Sequence, residues 1–132
     1  MLDANLCIRV LRDRPAVIRE RFKAEAPSLA ISSIVLHELI YGAERSERPA
    51  YQHQQVMEFA DHITVCDFDS AAAHHAAIIK ATLAAGGNLI GPNDLLIAGH
   101  ARSLGLKLIT GNLKEFSRVE GLHCEDWFAG TQ

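Results

Sequence analysis

Cysteine is scarce in this chain and poorly placed for chemistry: Cys7, Cys66 and Cys124 lie far apart, are odd in number and form no C-x-x-C pair. Zinc sites draw thiolates from close pairs, so this spacing argues against one. The apolar neighbours of each cysteine fit buried structural thiols. No apolar run approaches the ~20 residues that cross a bilayer. The opening Met1-Leu2-Asp3 has neither the basic nor the apolar stretch of a secretory signal. The expectation is a soluble, cytoplasmic protein with no membrane contact. Also missing are a Gly-rich phosphate loop, a Ser-His-Asp or Cys-His nucleophile arrangement, low-complexity tracts, internal repeats and long linkers. Positive charge is not in excess either, the formal balance being −3. That does not exclude nucleic acid, because acids gathered in a metal site would contribute to it. The cluster Arg9, Arg12, Arg14, Arg19, Arg21 and Lys23 fits a phosphate-facing patch and an ordinary solvated helix face equally well.

What is present suits one compact domain over residues 1–132, with 48% hydrophobic residues. A chain of this size buries roughly two-thirds of its unfolded surface. Short β-like runs alternate with helical ones, the pattern of a doubly wound α/β fold. The expectation is a central parallel sheet of about five strands flanked by helices. Strands are expected at 1–3, 29–32, 63–66, 106–110 and 122–124. Helices are expected at 5–11, from Pro15 at N1 to 26, from a Ser32 or Ser33 cap to 44, at 49–62, and at 70–85 before Gly86-Gly87. One more opens at Gly91-Pro92-Asn93-Asp94, with Asn93 as its cap, and stops at Gly105.

Isolated carboxylates recur where strands pass into helices. Asp3 ends the first strand, Glu38 lies one turn into the helix after the second, and Asp94 sits in a first helical turn favoured by the dipole. Ile34, Glu38 and Tyr41 share one helix face. In open α/β sheets, sites form outside the carboxyl ends of the strands, so these acids and the Thr110-Gly111-Asn112 turn could converge there. Oxygen ligands on such a rim suit Mg²⁺ or Mn²⁺. Crowded acids would raise one another's pKa and tie metal affinity to pH. Each acid also has a plain reading: Asp3 as a helix cap, Glu38 as a surface residue, Asp94 as a first-turn acid.

Four stretches, taken in order, resemble the PIN-domain family, in particular its VapC-type ribonuclease toxins of toxin–antitoxin pairs. They are Met1-Leu2-Asp3-Ala4-Asn5, then Ile31-Ser32-Ser33-Ile34 with Leu36-His37-Glu38-Leu39-Ile40-Tyr41-Gly42-Ala43, then Gly91-Pro92-Asn93-Asp94-Leu95-Leu96-Ile97-Ala98, and last Leu108-Ile109-Thr110-Gly111-Asn112 with Glu115-Phe116. The resemblance covers essentially the whole chain. It implies that Asp3, Glu38 and Asp94 bind the metal, and that Asn112 stands where the family often has a fourth acid. It places Thr110 beside the metal acids and makes Asn5 the residue that orients the first Asp. Glu115 could add a carboxylate, or face solvent. Ala4 departs from the Thr usual in close relatives. The implied activity is Mg²⁺- or Mn²⁺-dependent endonucleolytic cleavage of RNA by metal-activated water. In similar enteric-type toxins the substrate is initiator tRNA, cut in the anticodon stem-loop. A homodimer and a VapB-type antitoxin whose C-terminal segment covers the acidic site are implied as partners, and one or two metals remain open.

Other residues attract weaker readings. His74-His75 points to different helix faces and cannot chelate, His37 faces away from Glu38, and His53, His62, His100 and His123 lack ligand spacing. Trp127 and Phe128 read as core or dimer anchors. Two alternatives stand beside the nuclease: a phosphoacceptor module with an acidic Mg²⁺ pocket, and a non-catalytic partner-binding domain. The first needs paired acids at the first strand and a Lys after the last, and Asp3 has no acidic neighbour.

Overall fold

The computed structural model describes residues 1–12 and 16–127. The Pro15 helix start, Arg14 of the basic cluster and Phe128 fall outside the described residues. Helices dominate: α1 (Ala4–Arg12), α2 (Ala16–Glu25), α3 (Ser33–Glu44), α4 (Pro49–Asp61), α5 (Ser70–Ala85), α6 (Pro92–Leu104) and the short α7 (Leu113–Phe116). The strands are β1 (Ala30–Ser32), β2 (Thr64–Cys66), β3 (Leu108–Ile109) and β4 (Cys124–Glu125).

The sheet is smaller than the five strands expected. Two parallel pairs form, β1 with β2 and β3 with β4. Residues 1–3 make only an isolated parallel bridge, Leu2 to Ile109, instead of a first strand. They nevertheless run between the pairs. The Leu2 N–H donates to the Ala30 carbonyl at 2.9 Å, and the Asp3 N–H to the Ile109 carbonyl at 3.1 Å. The α-ammonium of Met1 donates to the Lys107 carbonyl at 2.7 Å. Every segment points the same way, so Asp3, Ser32, Cys66, Thr110 and Asp126 all fall at one edge, the carboxyl end.

Apolar residues from both ends of the chain build the core, with Leu2, Leu6, Ile31, Val35, Ile97 and Leu108 fully buried. Burying each such side chain contributes about 1.5–3 kcal/mol. On α5, Ala72, Ala76, Ile79 and Leu83 form the buried stripe. Its small residues let α6 approach until a Cβ built on Gly99 would lie 2.5 Å from the Ala76 nitrogen. That close crossing fixes α6, and with it Asp94.

Helix ends account for most boundaries. The Ser32 hydroxyl caps α3 by accepting from the Ile34 N–H at 3.0 Å. At α6 the cap is Gly91, not Asn93, because Pro92 takes the first helical position, where its missing N–H costs nothing. Gly105 ends α6 in the left-handed conformation (φ 66°) that favours glycine. The remaining misses are α7, absent from the sequence expectation, the strand expected at 106–110, which is only Leu108–Ile109, and the last strand, which begins at Cys124 and not at Leu122.

Candidate active site

Asp3 is 4% exposed and its two oxygens have different partners. Oδ1 accepts from the Leu6 N–H at 2.9 Å, which caps α1. Oδ2 accepts from the Thr110 hydroxyl at 2.5 Å, and the Thr110 oxygen itself accepts from the Asn112 N–H at 2.9 Å. Cap and site residue are therefore one side chain. Asn5 is exposed, and Leu6 and Thr110 do the orienting that the resemblance assigns to it. Burial pushes the Asp3 carboxyl above its ordinary range, the Thr110 and Leu6 hydrogen bonds pull it back, and the charges of Asp126 and Glu115 push it up again.

Glu38 reaches the same pocket from α3. Burial raises its pKa, the Asn93 side chain opposes this by hydrogen bonding, and the Asp3 charge adds to the rise. Its Oε1 is buried without a hydrogen-bond partner. A lone carboxylate oxygen held dry in this way costs free energy unless something positive meets it.

Asp94 and Glu115 form a hydrogen-bonded pair with opposite shifts. Burial first, then the Glu115 hydrogen bond and charge, then Asp3 and Glu38, raise Asp94 to about 7. The same hydrogen bond lowers Glu115, which also accepts from the Gly91 N–H at 3.1 Å through Oε1 and from Asn112 Nδ2 at 2.6 Å through Oε2. One proton on Asp94 is thus shared with an ionised Glu115. Glu115 stays half-exposed, yet its bonds to Asp94, Gly91 and Asn112 tie it to the site as an added carboxylate. Asn112 stands at the N-cap position of α7 without a side-chain cap bond, and its amide donates to Glu115 instead.

Asp3, Glu38 and Asp94 do gather at the carboxyl edge, within range of one another's charge. Among the described residues, no three His, Cys, Asp or Glu side chains stand close enough to make a ligand set by themselves. The donor chemistry still fits a hard cation. The orphaned Glu38 oxygen and the crowded carboxylates call for positive charge, and Mg²⁺ takes only one or two carboxylates and keeps several waters. Sequence reasoning missed Asp126, whose charge reaches Asp3. Its position just past β4 at the carboxyl edge was the available signal. It also missed Asn93 as the partner of Glu38.

The histidines set aside have structural partners where the structure shows any. His75 Nδ1 accepts from Arg102 Nε at 3.0 Å, and His62 Nδ1 lies 2.7 Å from the Glu58 carbonyl. Trp127 is buried as expected, with the Arg21 guanidinium 4.6 Å from its ring centre. Arg21 also pairs with Glu25 and Glu125, so this member of the basic cluster is engaged within the protein. All three cysteines are free thiols.

An acidic pocket at the carboxyl edge of a small parallel sheet is the architecture of a PIN domain, and the PIN domain family model matches residues 1–122. The tRNA(fMet)-specific endonuclease VapC of Shigella flexneri is 49% identical over 127 residues, covering 96% of each chain. Ribonuclease VapC2 of Haemophilus influenzae is 45% identical over the same share. Among solved structures, the DNA-bound VapBC of Salmonella typhimurium superposes with a TM-score of 0.92 at 47% identity, covering 96% of each chain. The chain belongs to the PIN-domain family, in its branch of VapC ribonucleases. The phosphoacceptor and non-catalytic alternatives fall away with that membership.

Proposed function

We propose that this chain is a Mg²⁺- or Mn²⁺-dependent endoribonuclease toxin. Asp3, Glu38 and Asp94 hold the ion, and Thr110, Asn112 and Glu115 hold the acids. The observation that carries this reading is Asp94 at about 7 beside an orphaned Glu38 oxygen: a pocket whose negative charge is uncompensated in the protein alone. When bound, the ion supplies Lewis acidity toward a water and charge to offset that building on a phosphate. The residues do the rest. Thr110 and the Leu6 N–H fix both Asp3 oxygens, so that carboxylate arrives in one orientation. Glu115, held by Gly91 and Asn112, accepts the Asp94 proton in a hydrogen bond, so Asp94 would have to give up that proton to serve as a ligand. Asn112 and Glu115 are supporting residues in this reading, and Asn5 lies outside the inner ring.

Initiator tRNA, cut in the anticodon stem-loop, is the proposed substrate, supported by near-50% identity to a tRNA(fMet)-specific endonuclease over 96% of the chain. A VapB-type antitoxin is the proposed partner, supported by the likeness to chains of VapBC complexes, and a homodimer is the assembly that the family resemblance implies. No described helix is long and apolar enough to cross a membrane, and action on tRNA would place the protein in the cytoplasm. The test is to sequence the 5′ ends of RNA fragments after induced expression, with Asp3→Asn as control. One dominant new end in initiator tRNA, absent from the control, is expected. The same ends in both would overturn the mechanism.

A further inference from the structure

A buried side-chain hydrogen bond joins the two helices that carry Glu38 and Asp94, and it lies away from both acids. His100 on α6 is 1% exposed, and its Nδ1 sits 2.8 Å from the Ser32 hydroxyl oxygen, at the start of α3. That hydroxyl already accepts the Ile34 N–H at 3.0 Å, so its own proton is free for the ring nitrogen. The ring also hydrogen-bonds the Asp67 backbone and stands edge-on to Phe68, with centroids 5.4 Å apart. The Phe68 N–H in turn donates to the Ser33 hydroxyl at 3.0 Å. With the Ser32 proton free to donate, Nδ1 is assigned as its acceptor, which leaves the ring proton on Nε2. Burial holds the imidazole below its ordinary pKa, which keeps Nδ1 an acceptor, while the Asp69 and Asp67 charges oppose this.

Resting on the acid-site reading above, we propose that the Ser32–His100 hydrogen bond is a positioning clamp. It sets the separation of Glu38 and Asp94, and thereby the affinity of the pocket for its cation. Ser32 lies as many residues before Glu38 as His100 lies after Asp94, six in each case. Each acid is therefore about 9 Å along its helix from the link. A tilt of about 5° at the link moves a carboxylate by about 0.8 Å, several times the ~0.2 Å that ligand distances tolerate. The Asn93–Glu38 hydrogen bond ties the same helices at the acids themselves, so the pair is held at the link and at the pocket. A hydrophobe would fill the His100 cavity. It would not fix this angle.

The test is Mn²⁺ affinity of the RNA-free protein, read by electron paramagnetic resonance, for His100→Leu, His100→Asn, His100→Gln and Asp94→Asn, each checked for folding by circular dichroism. Folded His100→Leu is expected to bind Mn²⁺ about tenfold more weakly, the lower end for outer partners of metal sites. The half-saturating metal concentration for RNA cleavage should rise by the same factor, with KM for RNA unchanged at saturating metal. His100→Asn, which returns an amide to the place of Nδ1 beside Ser32, recovers most of the loss. His100→Gln, whose amide reaches the place of Nε2 and not that of Nδ1, does not. Wild-type affinity in folded His100→Leu, with affinity lost in Asp94→Asn, overturns the clamp alone. Unchanged affinity in Asp94→Asn overturns the acid-site reading and the clamp with it. Should His100→Leu fail to fold, equal affinities of the Asn and Gln variants overturn the clamp.

Discussion

Asp3 shows how one side chain carries two roles. Its Oδ1 caps α1 through Leu6, and its Oδ2 is fixed by Thr110. Asparagine ranks with aspartate as a helix cap, so Asp3→Asn keeps the helix start through Oδ1, while it removes the charge and turns the acceptor that faces Thr110 into an amide donor. The expected outcome is an unfolding free energy within about 1 kcal/mol of the parent and RNA cleavage reduced by at least ~10²-fold. Denaturant titration beside a cleavage assay checks both, and a well-folded variant that cleaves at the parent rate contradicts the role. The acid pocket also predicts a pH signature. Asp94, Asp3 and Glu38 bind protons more tightly folded than unfolded, so their contribution to stability is present at low pH and is lost as pH rises. Glu115 and His100, both lowered, work in the opposite sense. The share of Asp94 is read as metal-free parent minus Asp94→Asn: that difference in stability should fall between about pH 4 and about pH 7, the ordinary and folded values for Asp94. Added Mg²⁺ should restore parent stability at the upper end. A difference that rises over this window without metal contradicts the account. At this scale Asp3, Glu38 and Asp94 were legible because each stands alone where a strand passes into a helix. Glu115 was named but not its bond to Asp94, and Asp126 was not named at all, because each interaction joins residues far apart in the chain.

Elements were read well wherever the chain carries its own punctuation. Ser32, Gly86 and Gly105 end or begin helices where their chemistry predicts. The sequence pattern misled at α6, where Asn93 looked like the cap and Pro92 instead pulled the start back to Gly91. Strands of two or three residues are too short to show alternation, which is why five were expected and four plus a bridge are found. Two glycines separate helix propensity from helix packing. Gly42 in α3 has open space where a Cβ would go, whereas a Cβ at Gly99 would meet Ala76 backbone at 2.5 and 2.6 Å. Gly42→Ala should stabilise by about 0.4–1 kcal/mol by restricting the unfolded chain. Gly99→Ala should destabilise by about 1–3 kcal/mol or more, because backbone must move. Urea unfolding distinguishes them, and a neutral Gly99→Ala contradicts the close α5–α6 crossing that seats Asp94.

At the scale of the whole molecule, the parallel segments bring residues 1–3, Ser32, Thr110 and Asp126 to one edge, while α3 and α6 bring Glu38 and Asp94 over it. The order of motifs along the chain was enough to place the family. The pairing of Asp94 with Glu115 came only with the folded chain, because 21 residues of sequence separate them. A peptide partner that covers the carboxyl edge would block RNA and cation together, so purified antitoxin should lower Mn²⁺ binding and cleavage in parallel. Cleavage suppressed with Mn²⁺ binding intact would place the partner elsewhere. The most direct measurement is cleavage of initiator tRNA by the purified chain, mapped at the 5′ ends, in Mg²⁺, in EDTA, and in Mg²⁺ with Asp94→Asn. A single cut in the anticodon stem-loop is predicted, lowered at least ~10²-fold both in EDTA and in the variant. Equal cleavage in EDTA, or by folded Asp94→Asn, contradicts the claim that these carboxylates act through a bound cation.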